Sequence, residues 1–229
     1  MFARHKLVWL SDIGWQSVLN NIYVNPDAQP SWQYAIDQWR RANWPAIVRR
    51  DDSEKEEHEV CLGITLPPNQ SNDSKTRIAF RVARSEVKKI LDPIRLGAAI
   101  ESAPPAWHGP LTALEVEIRR QGLSFGVYGS LALQALTGQA YVRPSSDIDL
   151  LFYPASIEQL DAGMMLLATT LEVLPLDGEI VFPSGQAVAW KEWLNASHNE
   201  VPARVLVKQK NAVRLSTVAE LLCGLEEFA

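Results

Sequence analysis

The chain has 229 residues, of which 47% are hydrophobic and 21% charged, with a net charge of −5. That supplies enough apolar mass for a packed core and enough length for one large domain or two small ones. No apolar run approaches the about 20 residues of a membrane helix, and no basic block or basic–aromatic stripe of the kind that binds nucleic acid is present.

The charge is uneven. Residues 1–105 hold 14 Lys/Arg against 13 Asp/Glu (+1), and residues 106–229 hold 8 against 14 (−6). The opening Met1-Phe2-Ala3-Arg4-His5-Lys6 lacks the apolar centre and small-residue cleavage site of a signal peptide. Cys61 and Cys223 make neither a metal spacing nor a disulfide framework, so free thiols in a reducing cytoplasm are expected. His5, His58, His108 and His198 show no ligand spacing either.

In chain order, an apolar segment covers residues 5–10. A helix is predicted over 31–41, capped by Ser31, with Trp32, Ile36 and Trp39 on one stripe. Residues 45–50, 60–66 and 75–82 read as strands, joined by a charge run at 51–59 and a Pro/Asn/Ser-rich loop at 67–74. Ser85 is expected to cap a short helix over 86–91 that stops before Pro93. Ser102-Ala103-Pro104-Pro105 is the candidate linker, dividing an N-terminal α+β part with a mixed or antiparallel sheet (1–104) from a second domain (105–229).

The second part opens with a predicted helix at 110–120, with Leu111, Leu114 and Ile118 on one face and Gly122 ending it. A strand at 124–128 leads into Gly129-Ser130 and a helix at 131–136 closed by Gly138. The loop 141–146 runs into a strand that carries Asp147 and Asp149. Ser156 caps a helix to about residue 170. Strands at 171–174, 179–182 and 187–190 surround turns at Asp177-Gly178 and Ser184-Gly185. Residues 205–208 and 212–215 read as strands, and Ser216 begins a terminal helix.

The chemistry lies between Val127 and Tyr153. Alternate residues of a strand share a face, so Asp147 and Asp149 project side by side while Ile148, Leu150 and Phe152 pattern with the core. Adjacent carboxylates repel, and a divalent cation relieves the repulsion; Mg²⁺ prefers such oxygens alongside substrate phosphates. Gly129 allows close backbone approach, and Ser130 stands at a helix N-terminus suited to anions. The pattern predicts a triphosphate held between backbone donors and a metal, with Mg²⁺ (or Mn²⁺) bound by Asp147 and Asp149.

A Gly-Ser turn, a short helix and an Asp-x-Asp strand resemble the nucleotidyltransferase superfamily with the polymerase-beta-like fold. The resemblance implies a third carboxylate on a later strand. Asp177 and Glu179 are the two candidates; Glu179, on the strand side of the expected turn, is favoured as both catalytic residue and metal ligand. Further segments resemble the malonate decarboxylase holo-acyl-carrier-protein synthases, also called phosphoribosyl-dephospho-CoA transferases. These are Arg4-His5-Lys6-Leu7-Val8-Trp9-Leu10, Gly126-Val127-Tyr128-Gly129-Ser130, Ser146-Asp147-Ile148-Asp149-Leu150-Leu151, Asp177-Gly178-Glu179-Ile180-Val181-Phe182-Pro183 and Val188-Ala189-Trp190-Lys191-Glu192-Trp193.

That resemblance implies a polymerase-beta-like domain after the linker. It also implies transfer of phosphoribosyl-dephospho-CoA from triphosphoribosyl-dephospho-CoA to a serine of the malonate decarboxylase acyl-carrier protein, with loss of pyrophosphate. Gly129, Ser130 and Arg143 would contact the donor phosphates, with Lys191, Lys208 and Lys210 as further candidates. Trp9, Trp39 and Trp190 read as core, with stacking on the donor's adenine as the functional alternative. Another nucleotidyltransferase, using an ordinary nucleoside triphosphate, is the competing reading. Arg77, Arg81, Arg84, Lys88 and Lys89, close in sequence, form the candidate docking patch for an acidic carrier protein.

Overall fold

The computed structural model describes residues 2–23, 30–69, 74–197 and 204–226. His198 and residues 70–73 of the predicted 67–74 loop lie outside this set. The chain divides into two compact units, Met1–Pro93 and Ile94–Ala229. The fold is α+β, as expected. The segment Ser102–Pro105 lies inside the second unit: Ile100–Ser102 is a 3₁₀ turn, and Pro105 opens the following helix. No helix among the described residues is long and apolar enough to cross a membrane.

The first unit contains β1 (Leu7–Leu10), α1 (Asp12–Tyr23), α2 (Pro30–Arg41), β2 (Ala46–Val48), β3 (Glu59–Thr65), β4 (Arg77–Ala83) and β5 (Val87–Leu91). The strands form one antiparallel sheet in the order β4-β3-β2-β1-β5. Helix α1 is absent from the sequence expectation although its signals were present. The Ser11 hydroxyl accepts from the Gly14 N–H at 3.1 Å, and Trp15, Val18 and Ile22 are buried along one stripe. Gly14, Ser17, Asn20 and Asn21 dilute the helical propensity and masked the stripe.

Residues 86–91 are not a helix. A 3₁₀ turn over Arg84–Glu86 leads directly into β5, which pairs with β1. Five residues with β-branched Val87 and Ile90 gain more from a strand partner than from an isolated helical turn. Because β4 and β5 lie at opposite edges yet are joined by three residues, the sheet must curl. Four strand spacings of about 4.8 Å exceed the roughly 14 Å reach of that connection. The Trp15 and Phe80 rings, 6.2 Å apart, pack α1 against β4.

The basic cluster follows this connection, with Arg84 in the 3₁₀ turn between the two strands. Arg77 and Arg81 stand on β4 and Lys88 and Lys89 on β5. Arg81 donates to the Glu54 carbonyl at 2.7 Å and lies 3.9 Å from the carboxylates of Glu54 and Glu59. The Lys89 ammonium sits 5.0 Å over the Trp9 ring.

The second unit contains α3 (Pro105–Arg120), β6 (Phe125–Val127), α4 (Gly129–Thr137), β7 (Ile148–Phe152), α5 (Ile157–Thr170), β8 (Leu176–Val181), β9 (Ala187–Ala189), α6 (Trp190–Ser197), β10 (Arg204–Lys208), β11 (Val213–Thr217) and α7 (Val218–Glu226). Its sheet runs in sequence order from β6 to β11. The β7–β8 pair is parallel, joined by the α5 crossover; the other pairs are antiparallel. Leu111, Leu114 and Ile118 of α3 are all buried. The helix starts five residues before Pro110, because Pro105 is well suited to a first helical position and packing offsets the one bond that Pro110 removes. Gly122, at φ +64°, ends it. Its N–H bonds Arg119 and that of Leu123 bonds Ile118, the paired closure of a left-handed cap.

Three expectations near β8 are corrected. Residues 171–174 form a turn, with β8 beginning at Leu176. Asp177-Gly178 lies inside that strand and is not a turn. Trp190 starts α6 and does not end a strand. Gly178 is required for a different reason: a Cβ there would lie 1.8 Å from the Leu150 carbonyl oxygen. The terminal helix starts after Thr217, whose hydroxyl accepts from the Glu220 N–H at 3.2 Å while Glu220 accepts from the Thr217 N–H at 3.1 Å.

The core brings Phe125 and Phe152 into a stack with centroids 4.5 Å apart, and α5 approaches this pair at Gly163. A Cβ on Gly163 would sit 2.2 Å from Phe152 Cζ. Alanine in a helix is otherwise favoured by about 1 kcal/mol over glycine, whereas overpacking costs about 1–3 kcal/mol. Gly163→Ala is therefore expected to lower stability in urea titration; a stabilised variant would show that the helix stands further from the ring.

Candidate active site

Strand β6 ends at Val127. Tyr128 stays extended at φ −133°, and its N–H donates to the Asp149 carbonyl at 3.0 Å. Gly129 then turns to φ +67° and starts α4. A Cβ at Gly129 would fall 1.9 Å from Asp149 Oδ2. The missing side chain is thus what lets the Asp149 carboxylate rest against the first residue of the helix. Ser130 follows, 5% exposed. The Gly-Ser turn and the Asp-x-Asp strand, separated in sequence, meet at this contact.

Asp147 immediately precedes β7 and is exposed; Asp149 lies within the strand and is half-buried. In the parallel register Asp149 pairs with Asp177, and Leu151 pairs with Glu179. Registered residues share a face, so Asp149 and Asp177 stand side by side, one strand spacing of about 5 Å apart. Asp177 Oδ1 accepts from the Gly178 N–H at 2.8 Å and lies 3.7 Å from Lys191 Nζ. Glu179 stands one step deeper, 4% exposed, and accepts from Lys208 Nζ at 2.8 Å. Among the described residues, no three His, Cys, Asp or Glu side chains converge into a ready-made metal cage.

The loop before Asp147 is fastened to α4. Gln134 Oε1 accepts from the N–H groups of Tyr141 and Val142, both at 2.9 Å, and its Nε2 donates to the Ser102 carbonyl at 2.5 Å. The Arg143 N–H donates to Ser146 Oγ at 2.9 Å while the Ser146 N–H donates to the Arg143 carbonyl at 2.9 Å. This closed turn places Arg143, half-buried, four residues ahead of Asp147. Tyr141 is fully buried, and burial pushes its phenol well above the usual range, so it stays neutral.

Gly129, Ser130, Asp147, Asp149 and Asp177 are thus brought to one end of the β7–β8 pair, with Glu179 one register step away. The Gln134 fastening escaped sequence reasoning; its only local sign was an amide in the last turn before Gly138. The Lys208–Glu179 pair spans 29 positions and leaves no local sign.

The family model described as phosphoribosyl-dephospho-CoA transferase MdcG C-terminal domain matches residues 95–219, and the N-terminal domain model of the same description matches residues 3–93. The chain belongs to the phosphoribosyl-dephospho-CoA transferase family. A curated protein of that name from Xanthomonas campestris pv. campestris (strain 8004) is 36% identical over 218 residues, covering 94% of each chain. One from Bradyrhizobium diazoefficiens is 35% identical over 83% of this chain and 81% of its own. One from Pseudomonas aeruginosa is 28% identical over 82% and 83%. No solved structure matches. The two matched segments meet where the chain divides into its compact units, so the family's two parts coincide with Met1–Pro93 and Ile94–Ala229.

The contact at Gly129 gives a controlled test. Gly129→Ala and Gly138→Ala both force alanine into positive φ, a strain of about 1–2 kcal/mol, but only residue 129 faces a carboxylate; nothing lies within 4 Å of a Cβ at 138. Both variants are expected to lose the stability that this strain costs, and Gly129→Ala more, because its Cβ also displaces the Asp149 carboxylate. Only Gly129→Ala is expected to lose transferase turnover, by about 100-fold, as displaced reacting groups do. Equal turnover in the two would contradict this role for the glycine.

Proposed function

We propose that the chain transfers phosphoribosyl-dephospho-CoA from triphosphoribosyl-dephospho-CoA to a serine of the malonate decarboxylase acyl-carrier protein, releasing pyrophosphate. The family membership supports the transferred group. The observation that carries the reaction type is the Asp149–Asp177 pairing against the Gly129–Ser130 helix start.

In this reading the carrier serine oxygen attacks the α-phosphorus of the donor. The new P–O bond forms as the bond to the β-phosphate oxygen breaks, and the electron pair leaves with pyrophosphate. The serine proton passes to a carboxylate of the β7–β8 face and on to solvent. The helix N-terminus at Gly129–Ser130 and the Arg143 turn would hold phosphate oxygens.

The residues fit Mg²⁺ or Mn²⁺. Their oxygens are hard ligands, and side-by-side carboxylates favour a cation between them. Asp147 and Asp149 would hold the ion, which would neutralise phosphate charge and lower the pKa of the attacking hydroxyl. Of the two candidates for the third carboxylate, Asp177 is better placed than Glu179: it registers with Asp149, while Glu179 registers with Leu151 and is engaged by Lys208. Since no three such side chains among the described residues form a closed cage, donor phosphates and water would complete the coordination, so metal affinity is expected to be weak alone and to rise sharply with donor present. Isothermal titration of Mg²⁺ with and without donor reads this directly; equal affinities would contradict it. Cys61 and Cys223 are both free thiols, which accords with a cytoplasmic enzyme.

The deciding experiment is intact-mass spectrometry of the carrier subunit after incubation with enzyme, donor and Mg²⁺. A mass gain equal to phosphoribosyl-dephospho-CoA is expected with the wild type and is lost with Asp149→Asn. Turnover restricted to ATP or GTP on a small acceptor would favour the competing nucleotidyltransferase reading.

A further inference from the structure

We propose that Glu179 is a positioning residue, not a metal ligand, and that it holds the Lys208 ammonium on the active face as the receiver of the departing pyrophosphate. This rests on the transfer reaction proposed above and assigns a part of its site. Three observations carry it. First, Glu179 is 4% exposed, and Lys208, whose side chain is 38% exposed, donates to it at 2.8 Å. A carboxylate so deep needs a paired donor, whereas an ammonium has three donors and keeps two for another acceptor.

Second, the register clears a path between them. Glu179 pairs with Ala189 and Val181 with Ala187 on β9, and Ala187 pairs with Lys208 on β10. The β9 residues on this face are both alanines, so the lysine stem can cross the strand to Glu179. Third, Lys191, in the first turn of α6 directly after β9, brings its Nζ to 3.7 Å from Asp177. The face is therefore graded in charge: carboxylates on β7 and β8 at one side, and two ammonium groups from the β9–β10 side at the other. A polyphosphate lying along it would meet metal at the reacting phosphorus and lysine at the leaving end.

Charge grows on the leaving pyrophosphate as its bond to the α-phosphorus breaks, and a fixed ammonium there is worth more than a mobile one because it needs no reorganisation. Glu179 supplies the fixing.

The test uses the full chain with Mn²⁺ and inorganic pyrophosphate, followed by turnover with donor and carrier. Lys208→Met is expected to weaken pyrophosphate binding about tenfold, the loss of one charge-assisted contact, and to lower kcat. Glu179→Gln is expected to do the same while leaving Mn²⁺ affinity, read by electron paramagnetic resonance, unchanged. The double variant is expected to be no worse than Lys208→Met alone, since both act through one ammonium, and Lys208→Arg to restore part of the pyrophosphate affinity. Circular dichroism checks that each variant is folded. The proposal is overturned if Glu179→Gln loses Mn²⁺, if Lys208→Met binds pyrophosphate as the wild type does, or if the two losses add. The binding measurements need neither donor nor carrier. A wild type that binds pyrophosphate through Lys208 but leaves the carrier unmodified would therefore count against the proposed acceptor and not against this role.

Discussion

The parallel pairing of β7 with β8 is the constraint on which the site depends. It sets Asp149 beside Asp177 at one strand spacing, and the absence of side chains at Gly178 and Gly129 makes the close approach possible. Two like charges at that separation oppose folding. Part of the repulsion is absorbed locally by the Gly178 N–H and by Lys191. The remainder favours a cation, which links the stability of the folded sheet to the chemistry proposed for it.

The surrounding elements serve that pairing. The α5 crossover makes the parallel register possible, and its packing at Gly163 against Phe152 anchors the β7 face opposite the carboxylates. Gln134 ties the loop ahead of Asp147 to α4, so the helix whose N-terminus faces Asp149 also fixes the chain entering β7. Glycine acts at two kinds of position here. Both have a positive φ, +67° at residue 129 and +139° at residue 178; what fills the space of a side chain is a carboxylate at 129 and the neighbouring backbone at 178.

Much of this was legible locally. The apolar stripe of α3, its closure at Gly122, the Ser156 cap of α5 and the Gly-Ser/Asp-x-Asp spacing are short-range signals, and the structure has each of them. The failures share a cause. Asp177-Gly178 reads as a turn because that dipeptide usually makes one; the proximity of Leu150 and a φ of +139° explain a glycine inside a strand. Residues 86–91 read as a helix because Ser85 offers a cap, but their partner β1 lies about 80 residues earlier in the sequence. The choice between Asp177 and Glu179 depends on register and on Lys208, both of which are long-range facts. Local chemistry named the residue types; pairing between distant strands set which of them stand together.

The central claim is that the carboxylates at the Asp147–Asp149 end of this face hold the metal at the transferred phosphorus. Anomalous scattering from Mn²⁺ in crystals grown with triphosphoribosyl-dephospho-CoA tests it most directly. The account predicts a peak coordinated by Asp147 and Asp149 and by donor phosphate oxygens, with Glu179 still bonded to Lys208. An ordered donor with the metal peak on Glu179, or away from both aspartates, would contradict it.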